Sequence, residues 1–161
     1  MTRVGVTGHT ELVPQTVPLV ADGLRAVLAG MHPLIGLTCL APGADQLFAE
    51  VVLDLGGRVE VVLPAADYRE AKVAPEQRPR FDDLVRRAAQ VRTMPFPNAG
   101  RAAYHAAAVA VLDAADVLVA VWDGATDGRP GSTAATVAAA RDRGLPVKVV
   151  WPAGAQRGGR R

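Results

Sequence analysis

Apolar and polar positions alternate between two periods along the whole chain. Leu34–Leu40, Arg58–Leu63 and the run Val117-Leu118-Val119-Ala120-Val121-Trp122 are short, largely apolar and read as β-strands. Between such runs the apolar residues recur at helical spacing. Arg3–Val6 opens as a strand that breaks at Thr7-Gly8-His9-Thr10. Pro14–Gly30 predicts a helix on Val17, Val20, Leu24, Val27 and Leu28. Ala44–Leu55 predicts a second, on Leu47, Phe48, Val51, Val52 and Leu55, stopped by Gly56-Gly57 because glycine tolerates the left-handed conformation. Arg101–Ala114 and Thr133–Arg143 read as helices and Val147–Trp151 as the last strand. Residues 65–98 are the least regular. Asp82–Val91 reads as a helix there, and prolines 75, 79, 95 and 97 place loops that could cover a site.

Strands that are apolar on both sides belong to a parallel sheet covered by helices on each face. The expected class is therefore α/β, a doubly wound, mostly parallel sheet of about five to seven strands. Residues 1–153 are expected to form one domain. From Gly154 the sequence turns polar and glycine-rich, so 154–161 is expected to be a flexible Arg/Gly-rich tail.

Composition adds a few exclusions. The 161 residues suit one domain, and 50% hydrophobic with 21% charged residues argues against disorder. Aromatics make up only 4%, so Ala, Val and Leu must build the core. No apolar run reaches the ~20 residues needed to span a bilayer. Met1-Thr2-Arg3-Val4 lacks a signal-peptide pattern, so the expected location is cytoplasmic, without a membrane partner. Cys39, the one cysteine, excludes an internal disulfide and a cysteine zinc cluster and reads as a buried, inert thiol. The pI of about 9.1 owes much to Arg157, Arg160 and Arg161. Without those three of the 18 basic residues, the remaining 15 face 16 acidic ones, which argues against a nucleic-acid partner.

Candidate chemistry gathers where strands end. In an open parallel sheet, ligands bind beyond the carboxyl ends of the strands, where strand order reverses. Three small, polar, glycine-bearing loops fall there: Thr7-Gly8-His9-Thr10, Pro42-Gly43-Ala44-Asp45, and Asp123-Gly124 through Gly128 to Gly131-Ser132-Thr133. The last two lead directly into helices, whose first turns present N–H groups and partial positive charge to an anion. Ser132 and Thr133 add hydroxyls. Each loop also has a plainer reading. Asp45, Ser132 and Thr133 fit as helix caps, His9 as a loop residue bonded to water, and Asp127 as a solvated turn residue. Trp122 and Tyr68 have the shape to stack on a base, but Trp122 equally fits as packing between a helix and the sheet. Asp116, at a strand start, reads as structural. His9, His32 and His105 show no metal-ligand spacing, so no metal is expected. No G-x-G-x-x-G fingerprint, P-loop lysine or G-x-S-x-G elbow is present at these loops.

The order TGHT after the first strand, APGAD opening a helix, then strand–WDGATDGRPGST–helix resembles the SLOG superfamily of Rossmann-like proteins. That group includes DNA-processing protein A and the LOG-type phosphoribohydrolases. Ala115–Gly124 is also similar to the nucleoside 2-deoxyribosyltransferases. The resemblance spans roughly residues 3–151 and is clearest at the two ends. It implies a nucleotide or nucleotide-derived phosphate ligand, bound against Gly131, Ser132 and Thr133, with Gly8 and Gly43 lining the pocket. A homodimer is expected, because two-fold dimers are the commonest soluble oligomers and dimers are usual in that group, and no cofactor is expected. The catalytic members carry GGxGTxxE, whose glutamate acts at the ribose C1. Here Thr136 falls at that position, and threonine supplies no carboxylate. The expectation is therefore binding or sensing. N-glycosidic hydrolysis or transfer through Asp123 or Asp45 is the alternative, and single-stranded nucleic-acid binding a third.

Overall fold

The computed structural model describes residues 1–126 and 132–158. Gly128 and Gly131, like Asp127, Arg160 and Arg161, lie outside the described residues. Six strands form one sheet: β1 (Thr2–Gly8), β2 (Leu34–Thr38), β3 (Arg58–Leu63), β4 (Gln90–Thr93), β5 (Val117–Val121) and β6 (Val147–Val150). Their order is β4-β3-β2-β1-β5-β6, and every pairing is parallel. The chain builds outward from β1 to β4, then returns to place β5 on the other side of β1. The carboxyl ends of β1 and β5 therefore flank the point where strand order reverses, the natural crevice of such a sheet.

Helices cover both faces, as expected. α1 (Thr16–Leu28), α2 (Ala44–Asp54) and α4 (Arg78–Arg87) pack on one face, while α5 (Arg101–Ala114) and α6 (Thr133–Asp142) pack on the other. β5 shows how one strand serves both layers. Val117, Val119 and Val121 join the α1–α2 core, whereas Leu118 and Ala120 face α5 and α6. Glycine is required where a helix crosses closely. A Cβ on Gly36 would lie 2.8 Å from the Phe48 ring, and one on Gly8 would lie 2.5 Å from the Ala44 Cβ.

Two expectations are corrected. The helix placed at Asp82–Val91 is α4 at Arg78–Arg87, and Gln90–Thr93 is instead the edge strand β4. A short helix, α3 (Tyr68–Lys72), precedes α4, and Arg69 holds the two together through paired bonds of 2.7 and 2.8 Å to the Asp82 carboxylate. Residues 154–158 are not a free tail. After a turn at Pro152–Ala155, Arg157 forms an antiparallel bridge with Leu12. At the opposite, amino edge, Asp116 accepts the Arg3 N–H at 2.9 Å, so it is a structural residue remote from the crevice. Among the described residues, no helix is long and apolar enough to cross a membrane.

Candidate functional site

The crevice holds a cavity of about 470 Å³. Its walls come from the ends of β1, β2 and β5, from α3, from one side of α5, and from the first turn of α6. Alanine makes the space. α5 contributes Ala107, Ala108, Tyr104 and Val111, and larger residues at the two alanine positions would fill the volume. The polar lining consists of Thr7, Thr10, Ser132, Thr133 and Thr136, with His9 and Asp45. Lys72 and Arg157 bring two positive charges.

At the β1 end the backbone is a fastener. The His9 N–H donates to the Val121 carbonyl at 3.1 Å, and the His9 carbonyl accepts the Ala44 N–H at 3.1 Å. The side chain is equally engaged. His9 is buried, its ring stands edge-on to Trp151 at 5.4 Å, and Nε2 accepts the Asp123 N–H at 3.1 Å. The imidazole is thus a packed crosslink rather than a loop group bonded to water. An Nε2 that accepts carries no proton, so the 3.3 Å approach of Asp123 Oδ1 is not an ion pair. Burial, reinforced by Arg157, holds the His9 pKa below its usual value against the opposing pull of Asp123.

The β2–α2 connection depends on Asp45. Its Oδ2 accepts from Thr38 Oγ1 at 3.0 Å and from the Cys39 N–H at 3.2 Å. Gln46 Nε2 donates to the Leu40 carbonyl at 3.1 Å. Together they fix Leu40 at a φ of 56°, a left-handed conformation that a leucine adopts only when its surroundings over-determine it. Burial pushes the Asp45 carboxyl up to about 6, with the bonds from Thr38, Cys39 and Ala41 opposing the rise. Burial and the neighbouring Asp45 raise the Cys39 thiol, which is half-buried in the cavity wall, well above its usual range.

The expected anion site at the start of α2 is corrected by this geometry. The Ala44 N–H is taken by His9 and the Gln46 N–H by the Ala41 carbonyl. Gly43, at φ 81°, sits against the Thr10 and His9 carbonyls, so it packs two loops together. Neither Gly43 nor Ala44 reaches the cavity, though Pro42 does. Asp45 is not a cap, because its oxygens face β2 and the loop rather than its own helix N–H groups.

The start of α6 is different. Ser132 caps it by accepting the Ala135 N–H at 3.1 Å, and Ser132, Thr133 and Ala134 border the cavity. The first-turn N–H groups of a helix lack intrahelical acceptors and carry its partial positive charge. Thr136 also borders the cavity, but its hydroxyl bonds back to the Ser132 carbonyl at 3.3 Å.

Trp122 takes the packing role expected between a helix and the sheet. It packs with Val137 of α6, donates Nε1–H to the Ala125 carbonyl at 2.9 Å, and edges the cavity. Asp123 and Gly124 do not line the cavity. Burial pushes the Asp123 carboxyl up, but the Ala125 N–H and the nearby Arg157 charge outweigh it and hold the pKa low. Tyr68 is buried at the α3 end of the cavity, with Tyr104 edge-on at 6.2 Å. Burial raises both phenols. Lys72, Tyr104 and Arg157 are cavity residues that the motif reading does not reach. Among the described residues, no group of three or more His, Cys, Asp or Glu side chains could hold a metal ion.

Comparison with known proteins establishes the fold and nothing finer. No family model and no curated protein sequence matches the chain. Solved structures do. DNA processing protein A from Streptococcus pneumoniae superposes with a TM-score of 0.68 at 16% identity, over 92% of this chain. The chain spans only 50% of that protein's length. DNA processing protein A from Helicobacter pylori, described for its single-stranded DNA binding mode, gives 0.68 at 13% identity, over 98% of this chain and 68% of that one. The molybdenum cofactor binding protein from Rippkaea orientalis gives 0.58 at 17% identity, over 92% and 75%. The resemblance first seen in the loop motifs thus stands as a shared Rossmann-like fold.

Proposed function

We propose that the crevice between the β1 and β5 ends binds a phosphate-bearing small molecule of nucleotide size. The observation that carries this reading is the pairing of Lys72 and Arg157 with the first turn of α6 around one cavity. Phosphate is recognised by this combination of cations, hydroxyls and helix N–H groups. The aromatic edges of Tyr68, Tyr104 and Trp122 offer an apolar bed for a base or another ring. A volume of about 470 Å³ falls in the ~300–1,000 Å³ range of small-molecule sites. The neighbours' names point to ligands of different kinds, a molybdenum cofactor and single-stranded DNA. Mass spectrometry of the purified, denatured protein is expected to release a phosphate-bearing compound, and nucleoside monophosphates to raise the Tm more than the nucleosides do. No released compound and no shift with monophosphates, the molybdenum cofactor or a short single-stranded oligonucleotide would sink the reading.

Asp45 favours one second reading, N-glycosidic chemistry. It is a carboxyl at the cavity wall whose pKa of about 6 suits a general acid or base near neutrality. Its bonds to Thr38 and Cys39 point instead to a structural role. Release of free base from a nucleoside monophosphate, lost in Asp45→Asn at unchanged ligand affinity, would support the enzyme. Absence of free base retires it.

A further inference from the structure

Residues 152–158, after β6, run beside the cavity, and their backbone is pinned there. The Gly158 N–H donates to the Glu11 carbonyl at 2.8 Å, and the Val13 N–H reaches the Gln156 carbonyl at 3.4 Å. The Gln156 N–H donates to Oγ1 of the buried Thr16 at 2.7 Å. Close approach requires glycine at 158, because a Cβ there would lie 2.8 Å from the Glu11 Cβ. Between these anchors Arg157 turns its side chain into the cavity wall. Its only ion-pair partner among the described residues is Asp123, at 3.8 Å. A pair that long, with the arginine side chain 39% exposed, stabilises the fold little. Asp123 has another occupation in any case, accepting the Ala125 N–H at 2.9 Å.

We propose that this segment is part of the binding site. Its docking on residues 11–13 delivers the Arg157 guanidinium to the cavity, where it exchanges Asp123 for a phosphate of the ligand. The inference rests on the ligand reading above and assigns its anion clamp. Asp123 acts as a placeholder that keeps the guanidinium aimed while the cavity is empty. A fork of N–H donors suits phosphate geometry, which lysine does not reproduce.

The test uses the full chain, with adenosine monophosphate and adenosine as probes in calorimetry. Hydrogen exchange of the Val13, Gln156 and Gly158 amides, the donors of the docking bonds, reads the docking separately. In the wild type those amides are expected to be protected. Arg157→Gln should keep the protection but weaken adenosine monophosphate about tenfold or more, with adenosine unchanged. Arg157→Lys should recover only part of the loss. Gly158→Val should lose both protection and affinity. Asp123→Asn, which retains the Oδ1 acceptor, should bind adenosine monophosphate more tightly than wild type. Equal affinity in Arg157→Gln and wild type overturns the clamp and leaves the ligand reading standing. Free exchange at the Gln156 and Gly158 amides in the wild type overturns the docking. Absence of binding in every variant overturns the ligand reading and the clamp with it.

Discussion

Asp45 and His9 face the same crevice and respond to pH in opposite senses. The Asp45 carboxyl is raised from an ordinary 3.8 to about 6 by burial, so the folded state binds its proton more tightly than the unfolded chain does. Its contribution is complete below about pH 4 and is lost as pH rises toward 6, a swing of about 3 kcal/mol. Urea denaturation across that window should show the swing as a difference between wild type and Asp45→Asn. A parallel pH course in the two proteins would refute it. His9 is held neutral, with its pKa below 6.5. Its contribution is present above pH 6.5 and is lost as pH falls through the depressed value, because protonated Nε2 has no lone pair left for the Asp123 N–H. Gly8 carries a steric constraint at the same place. Gly8→Ala forces a methyl to within 2.5 Å of the Ala44 Cβ and 2.9 Å of the Val121 carbonyl. The expected cost is about 1–3 kcal/mol, read as a lower urea midpoint with unchanged m-value.

Among the elements, α6 and α5 divide the work of the cavity. Ser132→Ala removes the cap on α6 and should cost about 1 kcal/mol, while Ser132→Gly costs a few tenths. Ala108, half-buried on α5, is the place to plug the space. Ala108→Leu should abolish the thermal shift given by nucleoside monophosphates while the unliganded Tm moves little. The central strands and the main helices can be read from periodicity because each buries a regular set of side chains. Arg101–Ala114 and Arg58–Leu63 need no adjustment at all. β4 is invisible to that reasoning. Its sequence QVRT has one apolar residue, all four residues are exposed, and only its pairing with β3 makes it a strand. The same limit hides Arg157, whose position depends on backbone bonds to residues distant in sequence. The α2 anion site fails for a related reason. A motif places glycine and helix start together, but the His9 carbonyl already occupies the amide.

The whole molecule is graded from a rigid middle to a soft edge. β2 and β5 are buried along their full length, whereas β4 is exposed throughout. Amide exchange should therefore be slowest in β1, β2 and β5 and fastest in β4, since local opening is governed by buried contacts. Saturating ligand at about 100 times its Kd should add about 2.7 kcal/mol to global stability. Protection should rise throughout β1, β2 and β5, which open only with the whole molecule, and at the first turn of α6, with the locally opening β4 unaffected. A rise in β4 equal to that in the central strands would contradict this grading.

The path of residues 152–158 also decides how the protein can be handled. A fusion partner joined directly at Gly158 follows Arg157, a residue of the cavity wall, and crowds whatever enters the crevice. One joined at Met1, 75% exposed and preceding β1 at the far edge of the sheet, stands clear of it. Immobilising the protein through its amino end leaves the mouth open to solvent, and a reporter at the other end senses traffic through it.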